Sequence, residues 1–277
     1  MKHIMLDCYG ANERQLDDVK LINEVLNRLV YKLQIKPIEP PHLLPYYYGS
    51  VKEDIGVSGK LLLLGGHVTI HTFPLRTCYF VDIFYDGEFS EEDVIEFFSN
   101  ELPYNKNTSN VEVRNRDINS FDMVEYSSDN DFGPHVLLDL EATNTPNMET
   151  FFDFLENLVT RINMDPISRA TVLKSSPVNP KYLSAIIVIA QSHIALHYNY
   201  ETQKIYADIF SCAPFNYSEM DLEFGSLGKV ISNELVVRGS KHFDKVRSIK
   251  EEDLTECYTY WQRVINKRGS LINRVCK

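Results

Sequence analysis

The stretch LSAIIVIAQSHIALH, Leu183 to His197, has a counterpart 126 residues earlier in VSGKLLLLGGHVTIH, Val57 to His71. Each is an apolar run, a short polar or glycine turn, and a second run in which β-branched residues alternate with histidine, which reads as two antiparallel strands. A third run follows each at the same offset, Tyr79 to Phe84 and Ile205 to Phe210. Upstream, His3-Ile4-Met5-Leu6-Asp7 is repeated as His135-Val136-Leu137-Leu138-Asp139. Helical spacing follows it in both copies, from Leu16 to Leu33 and from Phe151 to Ile162. Proline then marks a loop in each (Pro37, Pro40, Pro41, Pro45; Pro166, Pro177, Pro180), because proline neither donates to a ladder nor continues a helix.

Beyond the third strand, helical signals return at Glu91 to Asn100 and Leu222 to Leu235, and a last strand is expected near Val111 to Val113 or Val246 to Ile249. The order predicts an α/β (α+β) sandwich of two homologous repeats, with antiparallel sheets face to face and helices outside. The repeats are expected over 1–126 and 133–250, with a polar linker at Ser127 to Asp131 and a C-terminal helical extension over 251–277. Such a chain is an internal pseudo-dimer and could pair further into a homodimer.

Composition narrows the function classes. With 277 residues, 44% of them hydrophobic, the chain can bury a large core, and its net charge of −11 repels phosphate backbones and anionic lipid. Neither nucleic acid nor a membrane is an expected partner; a small-molecule substrate is. The apolar runs Leu61 to Leu64 and Ala185 to Ala190 are far short of a bilayer span, and Met1 leads straight into strand-like sequence, so a soluble protein without a targeting peptide is expected. Five cysteines (Cys8, Cys78, Cys212, Cys257, Cys276) without a C-x-x-C pair suit the reducing cytoplasm and suggest neither a disulfide framework nor a zinc ribbon. No metal site is expected.

The second copy sets a hydroxyl, imidazoles and a thiol at fixed spacing: Ser184, Ser192, His193, His197 and Cys212. Singly, each has a bland reading, since a lone buried cysteine is usually inert core and alternating strand histidines are usually structural. Together they resemble the prokaryotic-type S-adenosylmethionine decarboxylases, whose V-S-G strand, E-S-H-x-[ST]-I-H-T-W-P-E segment and D-x-F-T-C-G segment have the same serine-to-histidine and serine-to-cysteine distances. The resemblance runs from His3 to about Asp117 and from His135 to about Ile249.

It implies self-cleavage between Gln191 and Ser192 and conversion of Ser192 into a pyruvoyl cofactor, whose carbonyl forms a Schiff base with the substrate amine. It further implies His197 as the acid/base for ester elimination, Ser184 as its hydrogen-bonding helper and Cys212 as proton donor to the substrate carbon. The first copy has Gly66 in place of the serine and Asp86 in place of the cysteine but keeps Ser58 and His71, and reads as a supporting wall.

Two departures bear on the family pattern. Gln191 replaces the usual glutamate, and W-P-E becomes Phe73-Pro74-Leu75 in one copy and Asn199-Tyr200-Glu201 in the other. Phe73 and Glu201 are therefore the expected substrate-binding residues, with Tyr198, Tyr200 or Tyr46 to Tyr48 as replacements. The implied activity is decarboxylation of S-adenosylmethionine in polyamine (spermidine) synthesis. Decarboxylation of arginine or ornithine at the same pyruvoyl, or a non-catalytic regulatory role, are the alternatives.

Overall fold

Side-chain alternation along β1 (Lys2–Tyr9) sends Ile4, Leu6 and Cys8 to one face and His3, Met5 and Asp7 to the other, and the same division runs through both sheets. The computed structural model describes residues 1–49 and 51–241. After β1 come α1 (Glu13–Leu16), α2 (Val19–Lys32), β2 (His42–Tyr46), β3 (Gly56–Leu63), β4 (Gly66–Phe73), β5 (Cys78–Tyr85), α3 (Glu91–Glu101) and β6 (Asn110–Asn115). The second half has β7 (Gly133–Ala142), α4 (Met148–Arg161), β8 (Thr171–Lys174), β9 (Tyr182–Ile189), β10 (Ser192–Asn199), β11 (Lys204–Phe210), α5 (Met220–Phe224) and β12 (Gly228–Arg238).

The described residues form two six-stranded antiparallel sheets, ordered β2-β3-β4-β5-β1-β6 and β8-β9-β10-β11-β7-β12, so the two halves share one topology. One face of the first sheet meets Ile22, Val25, Leu26 and Leu29 of α2 and Val94 and Phe98 of α3. The corresponding face of the second meets Phe151, Leu155 and Leu158 of α4 and Phe224 of α5. Each such side chain contributes roughly 1.5–3 kcal/mol of burial. Asp18 caps α2 through the Leu21 N–H at 2.9 Å, and Asn147 and Thr150 form a capping box on α4. Among the described residues, no helix is long and apolar enough to cross a membrane.

Several expectations are corrected. Leu222 to Leu235 is helical only as far as Phe224; Gly225 and Gly228 interrupt it, and β12 then pairs with β7 from Gly228 to Arg238. Short apolar runs satisfy both periods, and the unpaired edge of β7 decides for the strand. Both proline loops contain a short edge strand, β2 and β8, where Pro45 costs no interior ladder bond. The strand expected at Val246 to Ile249 and the extension at 251–277 lie outside the described residues.

The sheets bury their other faces against each other. This layer is polar at its centre, with His3, His67, His71, His135, His193 and His197 all essentially inaccessible, and small apolar clusters at Met5/Leu137/Val236 and Leu62/Ile186/Ala195. Two arginines hold it together. Arg116, just past β6, donates to Asp139 on β7 at 2.5 and 2.9 Å and to the carbonyls of Leu138 and Ala207. Arg238, ending β12, donates to Asp7 on β1 at 2.6 Å and to the carbonyls of Leu6 and Val81. Each half thus closes on the carboxylate of the other.

The pairing differs in one respect. Arg238 also reaches Asp82 at 2.6 Å, and although burial pushes that carboxyl up, Arg238 and His135 outweigh it and hold it well below the usual range. Removing one partner of a buried pair costs about 3–5 kcal/mol. Arg238→Met, which strands two carboxylates, should therefore lower the unfolding free energy by at least that much and by more than Arg116→Met, as urea denaturation would show; equal losses would contradict this ranking.

Candidate functional site

The hairpin between β9 and β10 turns at Ala190 and Gln191, and Gln191 sits in the left-handed region at φ 51°, which a side-chain-bearing residue occupies only at a cost. Its counterpart in the first half is Gly65, at φ 82°, where glycine carries no such cost. Ser192 begins β10 and is buried, and its Oγ accepts the Cys212 N–H at 2.9 Å. The Cys212 thiol lies 3.5 Å from the Ala190 carbonyl. Serine, cysteine and the strained turn are therefore in one place.

The imidazole beside this turn comes from the other half. Ser58 Oγ donates to Gln191 Oε1 at 2.9 Å and contacts His71 Nδ1 at 2.8 Å, while His71 Nε2 meets His193 Nδ1 at 3.0 Å. Ser184 and His197 are paired at 2.9 Å in the same way, but His197 stands five residues along β10 from Ser192, roughly 16 Å of extended chain. They lie beside the first half's turn instead, with His197 Nε2 at 2.8 Å from His67 Nδ1 and Tyr182 against Gly65. The sheets cross so that each hairpin tip meets the Ser–His pair of the opposite half.

The glycine turn of the first half has lost more than a hydroxyl. A Cβ on Gly66 would stand 1.9 Å from the Phe84 carbonyl, so a serine does not fit that backbone. Asp86, opposite Cys212 in the repeat, is occupied by an ion pair with Lys181 at 3.3 Å.

A cavity of about 190 Å³ opens beside Cys212, lined by Ala190, Met164 and Asp165 from one half and Tyr46 and Asp54 from the other. Asp54 is held by Arg76 at 2.8 and 3.0 Å. Neither expected substrate-binding residue lines the cavity. Phe73 is fully buried against Phe80 and Phe132, and Glu201 is exposed in the turn after β10, beyond Asn199, which is itself roughly 23 Å of strand from Ser192. Tyr198 packs on the helix side of β10, whereas Tyr46 of the tyrosine run does line the cavity.

Electrostatics fit acid and base work. Burial, with His193 nearby, keeps His71 well below its ordinary value, so the imidazole is neutral. Burial likewise lowers His197 to about 3. Burial, reinforced by Asp54, raises the Cys212 thiol to about 11 against partial opposition from Ser192 and Arg76, so it holds its proton.

Sequence reasoning kept Ser58 and His71 only as relics of a wall. The available signal was that the Ser-to-His spacing of thirteen residues, 58 to 71 and 184 to 197, survives in the half that lacks the nucleophile. Asp54 and Asp165 had no signal, because nothing in their local sequence shows which cavity they reach.

The family model for S-adenosylmethionine decarboxylase matches residues 2–115 and 134–222. The S-adenosylmethionine decarboxylase proenzyme of Clostridium botulinum (strain Langeland) is 27% identical over 105 residues, 38% of this chain and 84% of that protein. The proenzyme of Aquifex aeolicus is 30% identical over 86 residues, 31% of this chain and 58% of that protein. A crystal structure of adenosylmethionine decarboxylase from Aquifex aeolicus aligns with 46% of this chain and 93% of its own, at 25% identity and a TM-score of 0.37.

A thiol near 11 is about one-thousandth thiolate at pH 8. Iodoacetamide labelling of Cys212, followed on its own peptide by mass spectrometry with Cys212→Ser as blank, should accelerate about tenfold per pH unit from 8 to 10. A plateau below pH 9 would show a more acidic thiol and remove the argument for a proton-holding group.

Proposed function

This chain belongs to the S-adenosylmethionine decarboxylase family, and on that premise we propose that it is a self-processing, pyruvoyl-dependent decarboxylase whose one working site is built from both halves. The observation that carries the reading is Gln191, left-handed, hydrogen-bonded by Ser58 and followed by a serine whose Oγ already accepts an N–H. The first repeat, 1–126, then supplies the base and the second, 133–250, the nucleophile.

In processing, Ser192 Oγ attacks the Gln191 carbonyl carbon and the Gln191–Ser192 C–N bond breaks, leaving an ester and a free amine. The Cys212 N–H, already on that oxygen, steers it, and Ser58 holds the Gln191 side chain. Neutral His71 then removes the Ser192 Cα proton as the Cα–Cβ double bond forms and the Cβ–O bond breaks, releasing residues 1–191 with a new carboxylate. Water replaces the remaining amine as ammonia. A pyruvoyl group formed at residue 192 would supply electron withdrawal from the bond between the substrate's Cα and its carboxylate. Cys212, protonated and lining the cavity, returns a proton to that carbon after carbon dioxide leaves.

S-Adenosylmethionine, the family's substrate, is the primary assignment, its product feeding polyamine synthesis. The cavity favours a second reading. At about 190 Å³ it is smaller than the roughly 300–1,000 Å³ usual for ligand sites, and it sets Asp165 near Cys212, beside an Asp54 already paired with Arg76, without either family nucleoside contact. These features suit the compact cationic side chain of arginine or ornithine.

Intact mass under denaturing conditions should show fragments 1–191 and 192–277. Ser192→Ala should stay whole, and His71→Ala should slow cleavage at least about 100-fold while His197→Ala leaves it intact. A whole wild-type chain would favour the regulatory alternative, and the opposite ranking of the histidines would return the base to the second half. Carbon dioxide release from S-adenosylmethionine, arginine and ornithine in parallel decides the substrate. Glu201→Gln should be silent and Asp165→Asn impairing with any of them; an inactive Glu201→Gln enzyme would refute this map of the cavity.

A further inference from the structure

The buried layer between the sheets has an unbalanced charge. Asp7, Asp82, Asp139 and Asp208 face Arg116 and Arg238, all less than 5% exposed, which leaves two negative charges in excess. Lys60 does not correct this, because it is paired with Glu39 at 3.1 Å. The excess has two sources. Arg238 serves Asp7 and Asp82, whereas Arg116 serves Asp139 alone, and neither oxygen of Asp208 has a hydrogen-bond partner among the described residues. A buried carboxylate without a countercharge is among the costliest groups a fold can hold.

What surrounds Asp208 is imidazole nitrogen. His67 Nε2 lies 3.4 Å from Oδ2, with no hydrogen bond between them, and both ring nitrogens of His3 are buried without a hydrogen bond, Nε2 standing 3.7 Å from Asp82 Oδ1. Donor atoms of His3, His67 and Asp208 all lie within 4.8 Å of one another. Two ligands each about 2.1 Å from a tetrahedral zinc ion are about 3.4 Å apart, too far for a strong direct bond and right for a shared cation. Two imidazoles and a carboxylate supply three donor atoms, one from each residue.

His135 and His193 also approach Asp208, at 3.9 Å, but His135 is a poor ligand there. Arg238 donates to its Nδ1 at 2.9 Å, and because arginine only donates, that nitrogen carries the lone pair and Nε2 the proton. His67 has the opposite support. Its Nδ1 can donate to His197 Nε2 at 2.8 Å, and His197 Nδ1 to Ser184 Oγ at 2.9 Å, leaving His67 Nε2 as a lone pair aimed at Asp208. Outer hydrogen bonds of this kind orient metal-bound histidines.

We infer that His3, His67 and Asp208 form a buried structural site for one divalent transition metal of the zinc class, shared between the halves and buttressed by His197 and Ser184. Its two positive charges would offset Asp208 and the one carboxylate that Arg238 leaves uncompensated between Asp7 and Asp82. The site also gives the Ser184–His197 pair, left beside a glycine turn with nothing to cleave, a physical role. It takes no part in processing, since none of the three ligands hydrogen-bonds to Gln191 or Ser192.

Plasma mass spectrometry of the full chain expressed with zinc in the medium should find about one ion per chain, in wild type and in uncleaved Ser192→Ala alike. Asp208→Asn and His67→Gln should fall below about one-tenth of that, and wild type refolded with a chelator should melt several degrees lower until zinc is restored. Should those variants misfold, His3→Cys loaded with cobalt keeps the question open to measurement: a sulfur-to-metal charge-transfer band absent from cobalt-loaded wild type is expected. Folded wild type with less than about one-tenth of an ion and no chelator effect would overturn the site and assign the countercharge to protonated imidazoles. Metal bound without the sulfur band would overturn His3 as a ligand.

Discussion

Burying charge between two sheets is the constraint on which the rest of this structure depends. A strand that packs a helix on one face and another sheet on the other has no face left for water, so every polar residue on the inner face must find its partner inside the protein. Arg116 and Arg238 solve this by reaching across, each from the end of one half's last strand or just beyond it to the first strand of the other. The halves are consequently fixed in register by hydrogen bonds as well as by area. That register is what sets a hairpin tip of one half against the serine and histidine of its opposite.

The same crossing bears on the loss of the serine from one half, on the function proposed above. If each site takes its serine and thiol from one half and its base from the other, the Gly66 half still serves the Ser192 turn through Ser58 and His71. Its own turn is free to change. The changes there are steric as well as chemical, with Gly66 pressed against a carbonyl and Asp86 bound to Lys181, so the two turns have become different objects on one topology.

Most of the architecture is legible in the chain because it depends on local pattern. The offset of 126 residues between the hairpins, the alternation on each strand and the spacing on α2 and α4 fix the layers and the outward helices. Where pattern is ambiguous the reading fails: β12 resembles a helix until the edge of β7 is there to pair with it, β2 resembles a loop because its Pro45 is tolerable only at an edge, and β8 is four residues set between flanking prolines.

For the site, the sequence by itself determined the residue types and spacing of the serine, cysteine and two serine–histidine pairs, because those are linear facts of a repeated strand. Only the tertiary structure decided which pair faces Gln191, since Ser192 and His197 are close in sequence but far apart along an extended strand, while Ser58 is 133 positions from Gln191 yet hydrogen-bonded to it. It also decided that Phe73 and Glu201 stand away from the Cys212 cavity, that Asp54 and Asp165 line it, and that Asp208 lies among imidazoles without an arginine. The physical reason is common to all of these: strand periodicity says which face a side chain takes, and only the packing of two sheets says what that face meets.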